Sequence, residues 1–347
     1  MQKRPAILII RMSALGDVAM TIPVIYSFAQ QYPQWQVKVL TQAFFTQLFI
    51  NKPSNISFIS VDLKQYRGIK GIFKLINLLR KEEFDTVADF HNVLRSLCID
   101  CYFYLSGKTI SIVKKNRTER KKLTRRKNKC PAEQKNYIRR YIDVLSSLGL
   151  PVVPTFSSLY EGRLEIPEYL PDISPKENSQ WIGIAPFARY PNKTYSLTYM
   201  EKVIQYFSSK EEGYKVFLFG GGTSEIQLLK AWEVKYPSVI TLAGKLTLSQ
   251  ELSLMANLDV MVSMDSANMH LASLVSIPVI SIWGGTTPLC GFLGWKQKKE
   301  NAVYANLPCQ PCTISGSTTC YRKDFKCVNH ISPEIIIDKI HQLLKQK

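Results

Sequence analysis

The 347-residue chain is short of the features that fix a protein's class at a glance. No stretch approaches the ~20 consecutive apolar residues needed to cross a bilayer, which argues against a membrane-spanning helix. The first apolar run, Ala6 to Ile10, is cut off by Arg11 and has no small-residue cleavage site after it. It therefore does not read as a secretory signal, and a cytoplasmic location is expected. Eight cysteines in a chain this long are too sparse for a disulfide scaffold. There is no G-x-G-x-x-G dinucleotide fingerprint, no Walker motif and no short internal repeat. Acids are scarce: 27 Asp and Glu stand against 45 Lys and Arg, a net charge of +18. Such an excess implies an anionic partner, whether nucleic acid, a membrane surface or a phosphorylated substrate.

What is present reads as globular α/β. Hydrophobic residues make up 46% and charged residues 21% of the chain, enough for real cores, and the length suggests two domains. Ala6–Ile10 is a continuous aliphatic run, the mark of a strand buried on both faces of a parallel sheet. Helical spacing follows over Val18–Gln31, then strands at 36–41 and 56–61, helices at 44–50 and 69–80, a strand at 86–90 and a helix at 93–105. The alternation breaks near Gly107. Between Gly107 and Cys130 stand eleven Lys and Arg against one acid, Glu119. A helix is expected at 137–148. Pro167, Pro171 and Pro175 then mark a boundary. The second half restarts the pattern, with strands at 181–185, 215–219, 239–242, 260–263 and 279–283. Helices are expected at 198–209, 225–235, 248–258, 266–274 and 333–347. The expected division is an N-terminal domain over 1–165, a C-terminal domain over 176–330 and a terminal helix over 331–347.

The strand-end turns carry the chemistry. After the first strand comes Arg11-Met12-Ser13-Ala14-Leu15-Gly16-Asp17, which sets a carboxylate at the carboxyl edge of a parallel sheet, where α/β proteins bind ligands. Asp17 reads equally as a helix cap. Met264-Asp265-Ser266-Ala267-Asn268-Met269-His270 follows a strand and opens a helix, whose N-terminal N–H groups suit a phosphate. His270 lies four residues after Ser266, on the same helix face. An N-cap with a satisfied histidine is the alternative. Gly220-Gly221-Gly222-Thr223-Ser224-Glu225 is a glycine-rich turn whose Glu225 suits a ribose diol. Gly284-Gly285-Thr286-Thr287-Pro288 offers further backbone donors. The segment 186–193 brings Arg189 and Lys193 to the same edge, and a lysine there is a natural counter-charge for a departing diphosphate.

Together these segments resemble glycosyltransferase family 9, the lipopolysaccharide heptosyltransferase family. Ile7 to Val18 resembles the family's opening strand and base-bearing loop. Asp265-Ser266-Ala267-Asn268-Met269-His270-Leu271-Ala272 resembles its D-[TS]-G-x-x-H-L-A segment, and Ile282 to Pro288 its F-G-x-T-x-P segment. The resemblance implies a GT-B fold: two Rossmann-like domains facing a central cleft, acceptor on the N-terminal one and nucleotide sugar on the C-terminal one. It also implies a C-terminal helix packing back on the N-terminal domain. Asp17 matches the general base. Lys193 matches the lysine near the donor phosphates and Glu225 the acid at the nucleoside. Asp265, Ser266, His270 and Thr286 fall in the donor-binding set, and Ser13 in the acceptor-binding set. Departures are Ala267 for a usual Gly, Phe187 and Ala188 for small hydroxyl residues, Gly285 for a common Pro, and Thr194-Tyr195 after Lys193.

The activity so implied is inverting transfer of a heptose from ADP-heptose to the Kdo and lipid A inner core of lipopolysaccharide. The enzyme would be a monomer without cofactor or nucleic-acid partner, peripheral to the inner face of the cytoplasmic membrane. No D-x-D pair is present to hold a catalytic metal. The basic block, through Lys114, Lys115, Arg117 and Arg120, reads as a grip on an anionic acceptor. Nucleic-acid binding and a merely solvated loop are its alternatives, and no aromatic is interleaved in it to stack on bases. Cys309, Cys312, Cys320 and Cys327, with His330 nearby, allow a structural zinc or reduced thiols in a loop. A transferase using another nucleotide sugar and a non-enzymatic basic α/β protein binding nucleic acid or membrane are the competing functions.

Overall fold

The computed structural model describes residues 4–160, 179–209 and 213–346. Pro167, Pro171 and Pro175, with the boundary expected there, lie outside the described residues. The chain divides into one unit formed by Met1–Asn116 with Lys135–Leu159, and a second formed by Arg117–Gln134 with Tyr160–Lys347.

In the first unit, β1 (Ala6–Ile10) is buried along its whole length, as an all-aliphatic strand must be when both faces of its sheet are covered. Helices α1 (Leu15–Ala19) and α2 (Ile22–Gln31) follow. One helix was expected over 18–31. The chain instead breaks at Met20-Thr21 and restarts with Pro23 in the first turn, where a missing N–H costs nothing. Next come β2 (Gln36–Gln42), a 3-10 turn (Ala43–Leu48), β3 (Ile56–Val61), α3 (Gly68–Leu79), β4 (Thr86–Asp89), α4 (Leu94–Leu105) and β5 (Thr109–Ile112). The sheet order is β3-β2-β1-β4-β5, parallel throughout. Leu8, Ile10, Leu40, Leu75, Val87, Ile99 and Phe103 fill one side of it.

The chain leaves this unit through α5 (Arg117–Leu123) and returns with α6 (Tyr137–Ser147). The excursion corrects the expected division, because residues 117–134 lie in the second unit rather than in a continuous 1–165 domain. Hydrogen bonds hold them there: Gln134 N–H donates to the Leu289 carbonyl at 2.8 Å, and Lys129 Nζ donates to the carbonyls of Cys309 and Pro311 at 2.7 and 2.9 Å.

The second unit continues with β6 (Gln180–Ala185), α7 (Leu197–Ser208), β7 (Tyr214–Leu218), α8 (Thr223–Lys235), β8 (Val239–Thr241) and α9 (Leu248–Met255). Then follow β9 (Val260–Met264), α10 (Ala267–Leu274), β10 (Val279–Trp283), β11 (Ala302–Tyr304), α11 (Lys326–Asn329) and α12 (Pro333–Leu344). Its sheet order is β11-β10-β9-β6-β7-β8, again parallel. The terminal helix corrects a second expectation. Ile336, Ile340 and Leu344 of α12 belong to the second unit's own core, with Val203 and Phe207 of α7. The apolar face expected to cross back to the first domain is thus spent here.

Both sheets reverse their strand order once in the middle: between β1 and β4 in the first unit, and between β6 and β9 in the second. Loops leaving such a pair of strands diverge to opposite faces and open a crevice at the carboxyl edge, where ligands bind.

Candidate active site

In the first unit the crevice is lined by the loops after β1 and β4. Arg11 follows β1 directly and is buried. Its Nη1 donates to the Phe90 carbonyl at 2.7 Å, tying the two loops together. Its Nη2 pairs with Asp17 Oδ2 at 2.5 Å. The Ala14 N–H donates to the same carboxylate oxygen at 3.2 Å, so Asp17 does cap α1. Capping and chemistry are compatible, since the side chain remains 30% exposed. Burial works against the Arg11 charge, but Tyr141, Asp17 and Tyr137 around it hold its pKa above the usual value. Arg11 is therefore a fixed cation that orients the Asp17 carboxylate.

The β4 loop is built on Asp89, fully buried, which accepts from the His91 and Asn92 N–H groups at 2.6 and 3.0 Å. Asn92 takes a left-handed φ of 50°, a conformation asparagine tolerates. The Asn92 side chain donates to the Val113 carbonyl at 2.7 Å. Phe90 stacks on Tyr141 of α6 with ring centroids 4.6 Å apart. His91 Nε2 lies 3.2 Å from Ser13 Oγ. Burial, followed by the charges of Arg11 and Lys115, lowers the His91 pKa to about 3, so it is a neutral imidazole at pH 7. Asp100 of α4 is pushed the other way, its pKa raised by burial and by the neighbouring Asp89.

In the second unit the crevice is lined by the loops after β6 and β9. Asp265 follows β9 and is buried. One of its oxygens, Oδ2, receives both Lys193 Nζ at 2.8 Å and Thr286 Oγ1 at 2.6 Å. Asp265 is thus the hub that fixes the lysine from the β6 loop and the hydroxyl from the β10 loop. An ammonium has three donors, of which this contact takes one. Ser266 occupies the N-cap position of α10 without a side-chain capping bond, its hydroxyl 3.3 Å from Ser263 Oγ, and His270 is buried within that helix. The β10 loop needs glycine for close approach: a Cβ on Gly284 would lie 2.2 Å from the Asn192 carbonyl oxygen. Gly285 explains its own departure from the family pattern. Its N–H donates to the same carbonyl at 2.6 Å, a bond proline cannot make. Glu225, in the first turn of α8, accepts from the Gly221 N–H at 2.8 Å, which closes the glycine turn.

A family model of glycosyltransferase family 9 (heptosyltransferase) matches residues 72–321. The chain belongs to this family. It is 25% identical over 342 residues to the lipooligosaccharide heptosyltransferase 2 of Campylobacter jejuni serotype O:6, a match covering 95% of this chain and 96% of that protein. The crystal structure of the glycosyl transferase family 9 from Veillonella parvula has a TM-score of 0.74 at 17% identity, covering 100% of this chain and 99% of that one. The E. coli heptosyltransferase WaaC with ADP gives 0.67 at 16%, covering 97% and 99%. These likenesses establish the GT-B fold class for this family 9 glycosyltransferase.

The remaining predicted residues of the family 9 enzyme divide by unit. Ser13, Lys114 and Lys115 are in the first. Ser13 is half-buried against His91. Lys115 donates to the Asn92 carbonyl at 2.8 Å, which makes it a support of the β4 loop. Lys114 is exposed, and its carbonyl accepts from Arg140 at 2.6 Å. Arg117 and Arg120 are in the second unit, exposed and half-buried respectively.

The sequence left the late cysteines open between a structural zinc and reduced thiols. Cys309, Cys312, Cys320 and Cys327 are free thiols and share a neighbourhood, since burial and the other three push Cys327 up to about 12. Among the described residues, however, no three His, Cys, Asp or Glu side chains are grouped to hold a metal ion. Cys312 is engaged by the β10 loop, its N–H donating to the Gly285 carbonyl at 2.9 Å. Sequence reasoning assigned no role to Arg11, Asp89 or His91. The available signal was the polar cluster Asp89-Phe90-His91-Asn92 at the end of a predicted strand.

Proposed function

We propose that this glycosyltransferase moves a heptose from ADP-heptose to the Kdo and lipid A inner core of lipopolysaccharide, by a single displacement that inverts the anomeric centre. Asp17 accepts the proton of an acceptor hydroxyl as that oxygen attacks the anomeric carbon. Arg11 fixes the carboxylate, and Ser13 with the neutral His91 offers a donor and an acceptor to the acceptor sugar. In the same step the bond from the anomeric carbon to the diphosphate breaks, and negative charge grows on the leaving group. Lys193, Ser266 and the N-terminus of α10 stabilise that charge. They supply what a divalent cation supplies elsewhere, so the reaction needs no metal. Glu225 contacts the nucleoside, and Asp265 with Thr286 holds Lys193 in place.

The observation that carries this reading is that each unit, taken by itself, sets a fixed charged group at its own sheet's reversal point: a partly exposed carboxylate on a buried arginine in the first, a carboxylate-anchored lysine in the second. The names of the relatives, heptosyltransferases of lipopolysaccharide and lipooligosaccharide, support the sugar and the acceptor. The acceptor is then borne by lipid, and the enzyme works at the cytoplasmic surface of the inner membrane, where the basic block from Lys114 to Arg120 meets acceptor phosphates. The test is a panel of nucleotide sugars offered with a heptose-free lipid A precursor, with and without chelator, read by mass spectrometry. A mass gain of one heptose from the ADP sugar, unaffected by chelator, is expected. Transfer from a different nucleotide sugar alone refutes the donor assignment.

A further inference from the structure

Among the described residues no helix is long and apolar enough to cross a membrane, yet one surface of the first unit is built unlike the rest. Six of the twelve exposed large apolar side chains among the described residues fall on α3 and α4. On α4, Leu94 (76% exposed), Leu97, Tyr104 and Leu105 (79%) follow helical spacing along the side opposite its buried Ile99 and Phe103. The helix is therefore apolar on both faces, with only one of them covered. On α3, which packs against α4, Ile69 (74%) and Phe73 (62%) stand one turn apart. Exposed apolar groups of this size and clustering mark an interaction surface.

Charge decides the partner. From Leu63 to Lys81 the sequence holds six Lys and Arg and no acid. Lys64, Arg67, Lys70 and Lys74 are all exposed. From Phe90 to Thr118 the only acid is Asp100, which is buried. An apolar stripe bordered by cations and free of exposed acids matches a sheet of anionic headgroups over hydrocarbon. Both helices begin at carboxyl ends of strands, so Ile69, Phe73, Leu94 and Leu97 lie toward the edge that carries Asp17.

We propose that the α3–α4 face seats the first unit on an anionic phospholipid bilayer, with Ile69, Phe73 and the α4 stripe entering at headgroup depth and Lys64, Arg67, Lys70 and Lys74 on lipid phosphates. The inference deepens the lipid-borne acceptor of the proposed function and rests on it. The docked enzyme meets its acceptor in the plane of the membrane, with the candidate base at the same edge of the sheet.

The test uses the full chain and sedimentation with vesicles of phosphatidylethanolamine and phosphatidylglycerol, against vesicles of phosphatidylcholine. Wild type should bind the anionic vesicles, and less so at high salt. Phe73→Ser with Leu97→Ser should lower the partition coefficient about tenfold or more. Lys70→Glu with Lys74→Glu should lower it by a similar factor and remove much of the salt dependence. Both variants should melt as wild type does, because the altered side chains are exposed. Their turnover on a water-soluble, deacylated acceptor should be unchanged, while turnover on vesicle-borne acceptor falls. Wild-type partition by both variants, with normal turnover on the soluble acceptor, overturns the docking and leaves the transferase reading standing. A vesicle affinity that depends on these residues in a chain that transfers to no acceptor supports the docking and sinks the function. A wild-type dimer that the Phe73/Leu97 variant converts to monomer, with no vesicle binding, assigns the face to a second copy and also overturns the proposal.

Discussion

Asp17→Asn separates chemistry from architecture. The substitution keeps the shape of the side chain, and the amide oxygen can still accept the Ala14 N–H. What it removes is the charge that Arg11 faces at 2.5 Å. Breaking one side of a fully buried ion pair costs roughly 3–5 kcal/mol. Here the carboxylate is 30% exposed and Arg11 keeps its bond to the Phe90 carbonyl, so solvent screening reduces the expected loss of stability to about 1–2 kcal/mol. The rate effect is larger. Loss of a general base lowers turnover by about 10²–10⁴, equivalent to about 3–5 kcal/mol of barrier at about 1.36 kcal/mol per tenfold. Initial rates at saturating donor, donor affinity by calorimetry and a thermal melt read the three quantities separately. The expected pattern is a collapse in turnover, unchanged donor affinity and a modest fall in Tm. A folded variant that turns over within a few-fold of wild type refutes the role of Asp17 as base, and with it the reading of the β1 loop.

Lys193→Met should lose turnover and also stability, the latter by about 3 kcal/mol, because Asp265 is left buried with only the Thr286 hydroxyl; the paired variant Lys193→Met with Asp265→Asn should recover much of the Tm and none of the rate. His91, held near pKa 3 when folded against an unfolded value near 6.5, contributes stability that is complete above about pH 6.5 and is lost as pH falls toward 3. His91→Gln should therefore flatten that acid limb in melts at pH 4, 5 and 7. Asp100 has the opposite sign. Its raised folded pKa makes the native state hold a proton the unfolded chain has released, so stability declines as pH rises above about 4. Asp100→Asn should raise Tm at pH 8 more than at pH 4, and an equal shift at both would contradict the protonated assignment.

The parallel sheets were legible because they rest on runs such as Ala6–Ile10, apolar at every position, and Val279–Trp283, apolar at all but Ser281. β5 was missed because Thr109–Ile112 is a four-residue edge strand, half-exposed, set inside a run of cations. α5 was missed for a related reason: of its seven residues only Leu123 is buried, so no apolar period betrays it. The strand-end motifs pointed to Asp17, Lys193 and Asp265 because each lies in the turn or loop that follows a recognisable strand. Their partners were harder. Arg11 acts through a carbonyl 79 residues away, and Asp89 works by accepting two N–H groups that point at it only once the loop has turned. The excursion of 117–134 into the second unit is written in hydrogen bonds to the carbonyls of Leu289, Cys309 and Pro311, which no local pattern encodes. The terminal helix was expected at 333–347 and is found at Pro333–Leu344, but a helical pattern does not say which core it serves.

The doubly loaded oxygen of Asp265 has a consequence for selectivity. A lysine held by a buried carboxylate keeps two further donors but presents them from one fixed position, so this end of the molecule is a poorer sponge for arbitrary polyanions than the overall charge suggests. On the proposed reading it offers a nitrogen fixed in one spot beside a hydroxyl and a helix start, a pattern suited to the diphosphate of a nucleotide sugar. If the donor diphosphate seats there, discrimination comes from shape, and inhibitors should be ranked by the spacing of their two phosphorus atoms more than by their total charge.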